Sequence, residues 1–151
     1  MRVVVQRVSR AEVRVDDTLT GSIEKGLLLF LGVGRDDDDN DLEWMIGKVI
    51  GLRVFEDEDG RMNRSVLDVN GGLLVISQFT LFGNLRKGSR PSFNRAADPE
   101  MAEKTYHRFL ERVGEQLGRP AEAGRFGANM QIEAFNDGPV TIIIDSKDKR
   151  F

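Results

Sequence analysis

Gly26-Leu27-Leu28-Leu29-Phe30-Leu31-Gly32-Val33 is a short apolar run opened by glycine and without a polar break. A strand covered on one face alternates apolar with polar residues, so an unbroken run of this length reads as a strand buried on both faces. Leu73-Leu74-Val75-Ile76-Ser77 reads as a second buried strand. Upstream, Val3, Val5, Val13 and Val15 place β-branched residues two apart, which predicts a strand over residues 2–8 continued over 12–15. Asp16-Asp17 is a turn, and residues 18–23 return as its hairpin partner.

Downstream the period changes. Leu42, Met45, Ile46 and Val49 fall at i, i+3, i+4 and i+7, one face of a helix that Asp39 or Asn40 can cap. Residues 52–55 read as a short strand, closed by an acidic turn over 56–60. Asp98-Pro99-Glu100 supplies an N-cap, a proline at the first helical position and an acid in the first turn. The helix that follows carries Ala102, Tyr106, Phe109, Leu110, Val113 and Leu117 on one face and stops at Gly118 and Pro120. Residues 130–135 and 140–145 are two final strands on either side of the turn Asn136-Asp137-Gly138-Pro139. The charged tail from Ser146 is expected to fray. No repeat or low-complexity linker interrupts the chain. The sum is one α/β or α+β domain in which two helices cover one side of a largely mixed sheet.

Composition narrows the function. In 151 residues, 40% are hydrophobic and 31% charged, which suits a single folded domain and excludes disorder along the whole chain. With no cysteine there is no disulfide scaffold, thiolate zinc site or cysteine nucleophile, a pattern that fits a reducing compartment. No apolar run is long enough to span a membrane, and the charged, strand-like opening Met1-Arg2-Val3-Val4-Val5-Gln6-Arg7 does not read as a signal peptide. The net charge of −3 argues against a broad basic grip on nucleic acid, so any such contact is expected to be local.

Three familiar sites fail on inspection. Gly32-Val33-Gly34-Arg35-Asp36-Asp37 starts like a dinucleotide fingerprint, but Asp37 stands where the third glycine belongs, and four consecutive aspartates repel a pyrophosphate. An EF-hand counted from Asp36 has Asp41 at position 6 and Gly47 at position 12. His107 is the only histidine and lies mid-helix, so a hydrolase built on this chain works without the usual histidine base.

Four loop segments remain: Ser77-Gln78-Phe79-Thr80-Leu81-Phe82 at a strand end, Arg90-Pro91-Ser92-Phe93, Gly124-Arg125-Phe126-Gly127-Ala128-Asn129-Met130, and Asn136-Asp137-Gly138-Pro139-Val140-Thr141. Each alone is compatible with an ordinary turn. Together, in this order and behind the opening Met1-Arg2-Val3-Val4-Val5-Gln6-Arg7-Val8, they resemble the D-aminoacyl-tRNA deacylase family, also called D-Tyr-tRNA deacylase. The resemblance covers residues 1–145 as one domain and leaves 146–151 as a tail.

That resemblance implies a three-layer α/β/β fold, a homodimer, a cytoplasmic location, and neither metal nor cofactor. It implies hydrolysis of the ester between a D-amino acid, or glycine, and the 3′-terminal adenosine of tRNA. By the same resemblance the Gly138 and Pro139 carbonyls, joined by a cis peptide, reach into the partner protomer's site. There they hold the substrate's α-ammonium group and exclude an L side chain, with Arg7 bracing the loop. Backbone N–H groups around Gln78, Phe79 and Thr80, in the segment that starts at Ser77, are the candidates to polarise the ester carbonyl. Thr80 is the nearest hydroxyl, but it lacks a base, so the RNA's own 2′-hydroxyl is the expected activator of water. Phe126 and Met130 are candidates to pack on the terminal adenine. Arg86, Lys87 and Arg90 are candidates to meet phosphates, or else solvated surface. Two rivals stand beside this reading: a dimeric nucleic-acid-binding or scaffold protein on the same fold, and a hydrolase of small esters or amides.

Overall fold

The computed structural model describes residues 1–149. Its backbone is a mixed six-stranded sheet with two helices packed on it. Strand β1 (Arg2–Val15) forms a hairpin with β2 (Thr18–Ile23), and β3 (Gly26–Gly32) returns along the first half of β1. Helix α1 (Asp39–Gly51) leads to a small separate ribbon, β4 (Phe55–Glu56) with β5 (Met62–Arg64). Strand β6 (Gly72–Ser77) lies parallel to β3 and runs into one turn of 3-10 helix, Phe79–Phe82. Helix α2 (Pro99–Leu117), the short β7 (Glu122–Ala123) parallel to β6, and the long β8 (Gln131–Asp145) on the free edge of β1 complete the chain.

The double burial of β3 has a direct cause. Leu27, Leu29 and Leu31 point into a core shared with the helices, through Leu42, Met45, Ile46, Tyr106, Phe109 and Val113. Leu28 points the other way, into a second core with Leu74, Ile76, Val8, Ala11 and Val13. One strand supplies both cores because β1 breaks register around Val8, and its second half, paired with β2, covers the face of the sheet that the helices leave open. The result is helix, sheet, sheet. The alternation along β6 is the same: Leu73 and Val75 face the helices, Leu74 and Ile76 the second core.

Several local expectations change. Helix α1 is capped by Asp38, one residue earlier than expected, because Asp41 sits at N3 and closes a reciprocal capping box with it. Residues 52–54 form no strand; only Phe55 and Glu56 pair, with β5. The expected pair of final strands is a single strand, β8. Both halves pair antiparallel with β1, and the register jumps from Asn136 opposite Val8 to Thr141 opposite Gln6. Residues 137–140 are therefore a bulge pushed out of a continuing strand, and the chain does not reverse there. Nor does the tail fray at its start. The Ser146 N–H donates to the Met1 carbonyl at 2.9 Å, and the Lys147 ammonium donates to the Asp41 carboxylate at 2.6 Å. Among the described residues no helix is long and apolar enough to cross a membrane.

Candidate active site

A cavity of about 530 Å³ opens where β6 ends. Its floor is Leu31, Val33, Ile76 and Ile132; one wall is Tyr106 from α2, and another is the strand-end segment Ser77, Gln78 and Phe79. Phe126 and Met130 line it from the loop after β7. The Tyr106 hydroxyl donates to the Val75 carbonyl at 2.8 Å, and burial pushes its pKa up to about 12, so it is a neutral, fixed part of the wall. The ring of Tyr106 meets that of Phe126 at 5.9 Å. Phe93 also lines the cavity and packs edge-on to Phe79 with centroids 5.0 Å apart. The sequence signals for Tyr106 and Phe93 were ambiguous. Tyr106 reads as a core position of an amphipathic helix, and Phe93 as one aromatic residue in a basic loop.

The strand end is held tightly. The Gln78 N–H donates to the Leu31 carbonyl at 2.7 Å, so it is committed to the sheet and is not free to polarise a substrate, contrary to its inclusion among the candidates. Phe79 and Thr80 begin the 3-10 turn, where N–H groups have no partner within the turn, and no side chain caps them. Thr80 is exposed, accepts a hydrogen bond from the Gln78 side-chain amide, and does not line the cavity; Ser77 does. Arg86, Lys87 and Arg90 stand on an exposed loop outside the cavity wall.

The second motif is elsewhere. Gly138 and Pro139 are joined by a cis peptide at the crest of the β8 bulge, exposed to solvent. Gly138 has φ +124°, and a Cβ there would lie 2.9 Å from an Arg7 guanidinium nitrogen, so both backbone and space require glycine. Arg7 is buried beneath it. Its guanidinium donates to the Asp137 carbonyl at 3.1 Å and to the Val54 carbonyl at 2.6 Å, and its Nε lies 3.3 Å from the Asp137 carboxylate. Neither Gly138 nor Pro139 lines the cavity. Along β3, Arg7 sits opposite Leu27, whereas Ser77 sits opposite Leu31. The two motifs thus lie at opposite ends of one strand, about 13 Å apart along it.

Fold and site define a small α/β/β protein with an apolar, strand-end cleft flanked by a 3-10 turn whose first N–H groups have no partner within it. The family described as D-Tyr-tRNA(Tyr) deacylase matches residues 4–145. The D-aminoacyl-tRNA deacylase of Opitutus terrae is 58% identical, and that of Thermotoga petrophila 55%, each over 97% of both chains. Among solved structures, that of a c-Myc DNA Unwinding Element Binding Protein has TM-score 0.91 and 41% identity, covering 96% of this chain and 98% of its own. A probable eukaryotic D-amino acid tRNA deacylase shares the fold at TM-score 0.81 and 17% identity, covering 95% of this chain and 97% of its own. The chain belongs to the D-Tyr-tRNA(Tyr) deacylase family, and its reaction is hydrolysis of the ester that joins a D-amino acid to tRNA.

Proposed function

We propose that two copies of this chain form the working enzyme, each completing the other's cavity with its Gly138–Pro139 bulge. The observation that carries this is the separation of the two motifs. The bulge is stiffened by a buried arginine and presents its backbone outward, yet it stands at the far end of the strand from the cavity in its own protomer. The outer face of β8 beside it exposes Phe135 at 56% and Ile143 at 52%, apolar surface that a second copy would cover.

In that assembly the Gly138 and Pro139 carbonyls accept from the substrate's α-ammonium group and occupy the space an L side chain needs. A backbone carbonyl held by a bulge cannot swing aside as a side chain can, which makes the exclusion steric and general. A D side chain points away and needs no specific contact, and glycine, having none, passes the same gate. Phe126, Met130 and Tyr106 enclose the terminal adenine. Water, activated by the 2′-hydroxyl of that adenosine, adds to the ester carbonyl carbon. The oxyanion is held by the N–H groups of Phe79 and Thr80, the carbon–O3′ bond breaks, and a proton passes to O3′. The products are the free amino acid and tRNA with its 3′-hydroxyl restored, a proofreading step that belongs in the cytoplasm with translation.

Subunit mixing tests the assembly. A Pro139→Ala chain mixed with a Phe79→Pro chain should recover activity, because each heterodimer holds one intact site. Full activity in a monomer at low concentration would refute it. One observation favours a second reading, nucleic-acid binding without hydrolysis: the 41% identical solved structure is that of a protein named for binding a DNA element. Release of free amino acid from D-charged but not L-charged tRNA decides between the two.

A further inference from the structure

The 3-10 turn is anchored at its far end by a residue to which the reaction gives no role. Arg2, at the start of β1, donates from Nε to the Asp145 carboxylate at 2.6 Å and from a terminal guanidinium nitrogen to the Leu81 carbonyl at 3.0 Å. Its guanidinium carbon also lies 4.9 Å above the centre of the Phe82 ring. The Asp145 carboxylate is mostly buried and is itself held by the Lys147 N–H at 2.9 Å. Phe82 is buried against Gly32 and Gly34, where an added Cβ would come within 3.0 to 3.2 Å of the ring. Arg2 therefore ties three things together: the end of β8, the Leu81 carbonyl of the turn, and the aromatic residue that seats the turn on β3.

We propose that Arg2 is a positioning residue for hydrolysis, holding the Phe79–Phe82 turn so that its first two N–H groups stay aimed at the ester oxygen. The inference rests on the reading that those N–H groups polarise the ester. The physical reason is leverage. At its start the turn is fixed by the Gln78 N–H on Leu31, and at its end by Arg2 and Phe82, so the donors between are spanned by two fixed points. Releasing the end lets a four-residue turn rock, and oxyanion donors lose value steeply once they stray from the position of the developing charge. Arg2 does not line the cavity, so its loss should spare substrate binding. A lysine keeps the charge over the ring and one of the two donations, whereas glutamine loses the cation and the fork.

The test is single-turnover deacylation of D-aminoacyl-tRNA as a function of enzyme concentration, with the fold checked by thermal unfolding. Arg2→Gln should lower the saturating rate about five- to twentyfold, leave the half-saturating concentration within twofold, and be partly rescued in Arg2→Lys. A cycle separates this from a general loss of stability. Phe79→Pro deletes one donor at a position where proline fits a helical start, and Phe79→Ala controls for the ring. If Arg2 acts through the turn's donors, Arg2→Gln should cost much less in the Phe79→Pro background than in the Phe79→Ala background. Equal cost in both backgrounds, a rise in the half-saturating concentration at unchanged rate, or no effect at all would overturn the positioning role. If Phe79→Pro and Phe79→Ala are equally active, the reading of the Phe79 N–H as a polarising donor has failed. A remaining Arg2 effect would then refute its action through that donor.

Discussion

The Phe79–Phe82 turn and the residue 137–140 bulge are both short interruptions at the edge of regular structure, and they are built in opposite ways. The turn is clamped from its own chain at each end, with Phe82 buried and Arg2 bound to its carbonyl. The bulge stands exposed on a continuing strand, fixed from below by Arg7 alone among the described charged side chains. Under the proposed function, polarising a carbonyl demands donors that hold position relative to their own cavity, which a turn tied inward supplies. Under the same proposal, excluding a side chain demands a stiff object offered outward, which a bulge braced at its base and bare at its crest supplies. The contrast teaches that rigidity can be supplied without burial, provided one buried cation anchors the backbone from beneath.

The sharpest break in this comparison comes from the substrate. The turn offers N–H donors and no base, so replacing the terminal 2′-hydroxyl of the tRNA with hydrogen should slow single-turnover deacylation by about 10²- to 10⁴-fold, the usual range for general acid–base help. A rate within tenfold of normal would place the base in the protein. Next in size is Gly138→Ala. The added Cβ meets the Arg7 guanidinium at 2.9 Å in a backbone conformation that side chains resist, so the crest must shift. A displacement near 1 Å should cost roughly 10²-fold on D-aminoacyl-tRNA and narrow the ratio of D to L hydrolysis. An unchanged ratio would mean that the bulge is not the chirality gauge.

Thr80→Ala should do less, about tenfold or under, because the hydroxyl is exposed, serves the Gln78 amide and lies outside the cavity wall. An inactive but folded protein, or an acyl group trapped on Thr80, would make that side chain the nucleophile. The smallest effect concerns an anchor near the Arg2 clamp. Burial alone would raise the Asp41 pKa, but hydrogen bonds from Lys147, the Asp38 N–H and Ser146 outweigh it and lower the value from 3.8 to about 2. A carboxylate with a depressed folded pKa stabilises fully above its unfolded value, and that stability is lost as pH falls from about 4 through about 2. Lys147→Ala should cost on the order of 1 kcal/mol at pH 7 once solvent screening is allowed for, and should move the acid unfolding midpoint to higher pH. Urea titrations at several pH values measure both, and the saturating rate at pH 7 should not change.

Much of this was legible from residues alone. The apolar runs at residues 27–31 and 73–76 and the Asp98-Pro99 helix start each signal their element locally, because burial on both faces and a free helix terminus demand particular side chains. Less was legible where neighbouring residues compete. Four aspartates in a row can each cap a helix, and the choice of Asp38 follows from Asp41 three residues on, a pairing visible only once the turn is formed. Residues 52–54 look like strand, but the partner that would make them one lies elsewhere and reaches only Phe55 and Glu56.

By itself the sequence determined the two helices and the buried central strands, the presence of a single, mid-helix histidine, and the motif set that marks the family. Those depend on composition and on contacts within a few residues. Tertiary structure alone decided that Asn136-Asp137-Gly138-Pro139 bulges without reversing, since glycine and proline serve both purposes and only register against β1 distinguishes them. It decided that the Gln78 N–H is spent on Leu31, and that Arg2, 79 positions before Leu81, reaches its carbonyl. It also decided that the two site motifs face opposite ends of one strand. Distances between segments far apart in the chain are set by how the sheet closes over its cores, and no local pattern encodes them.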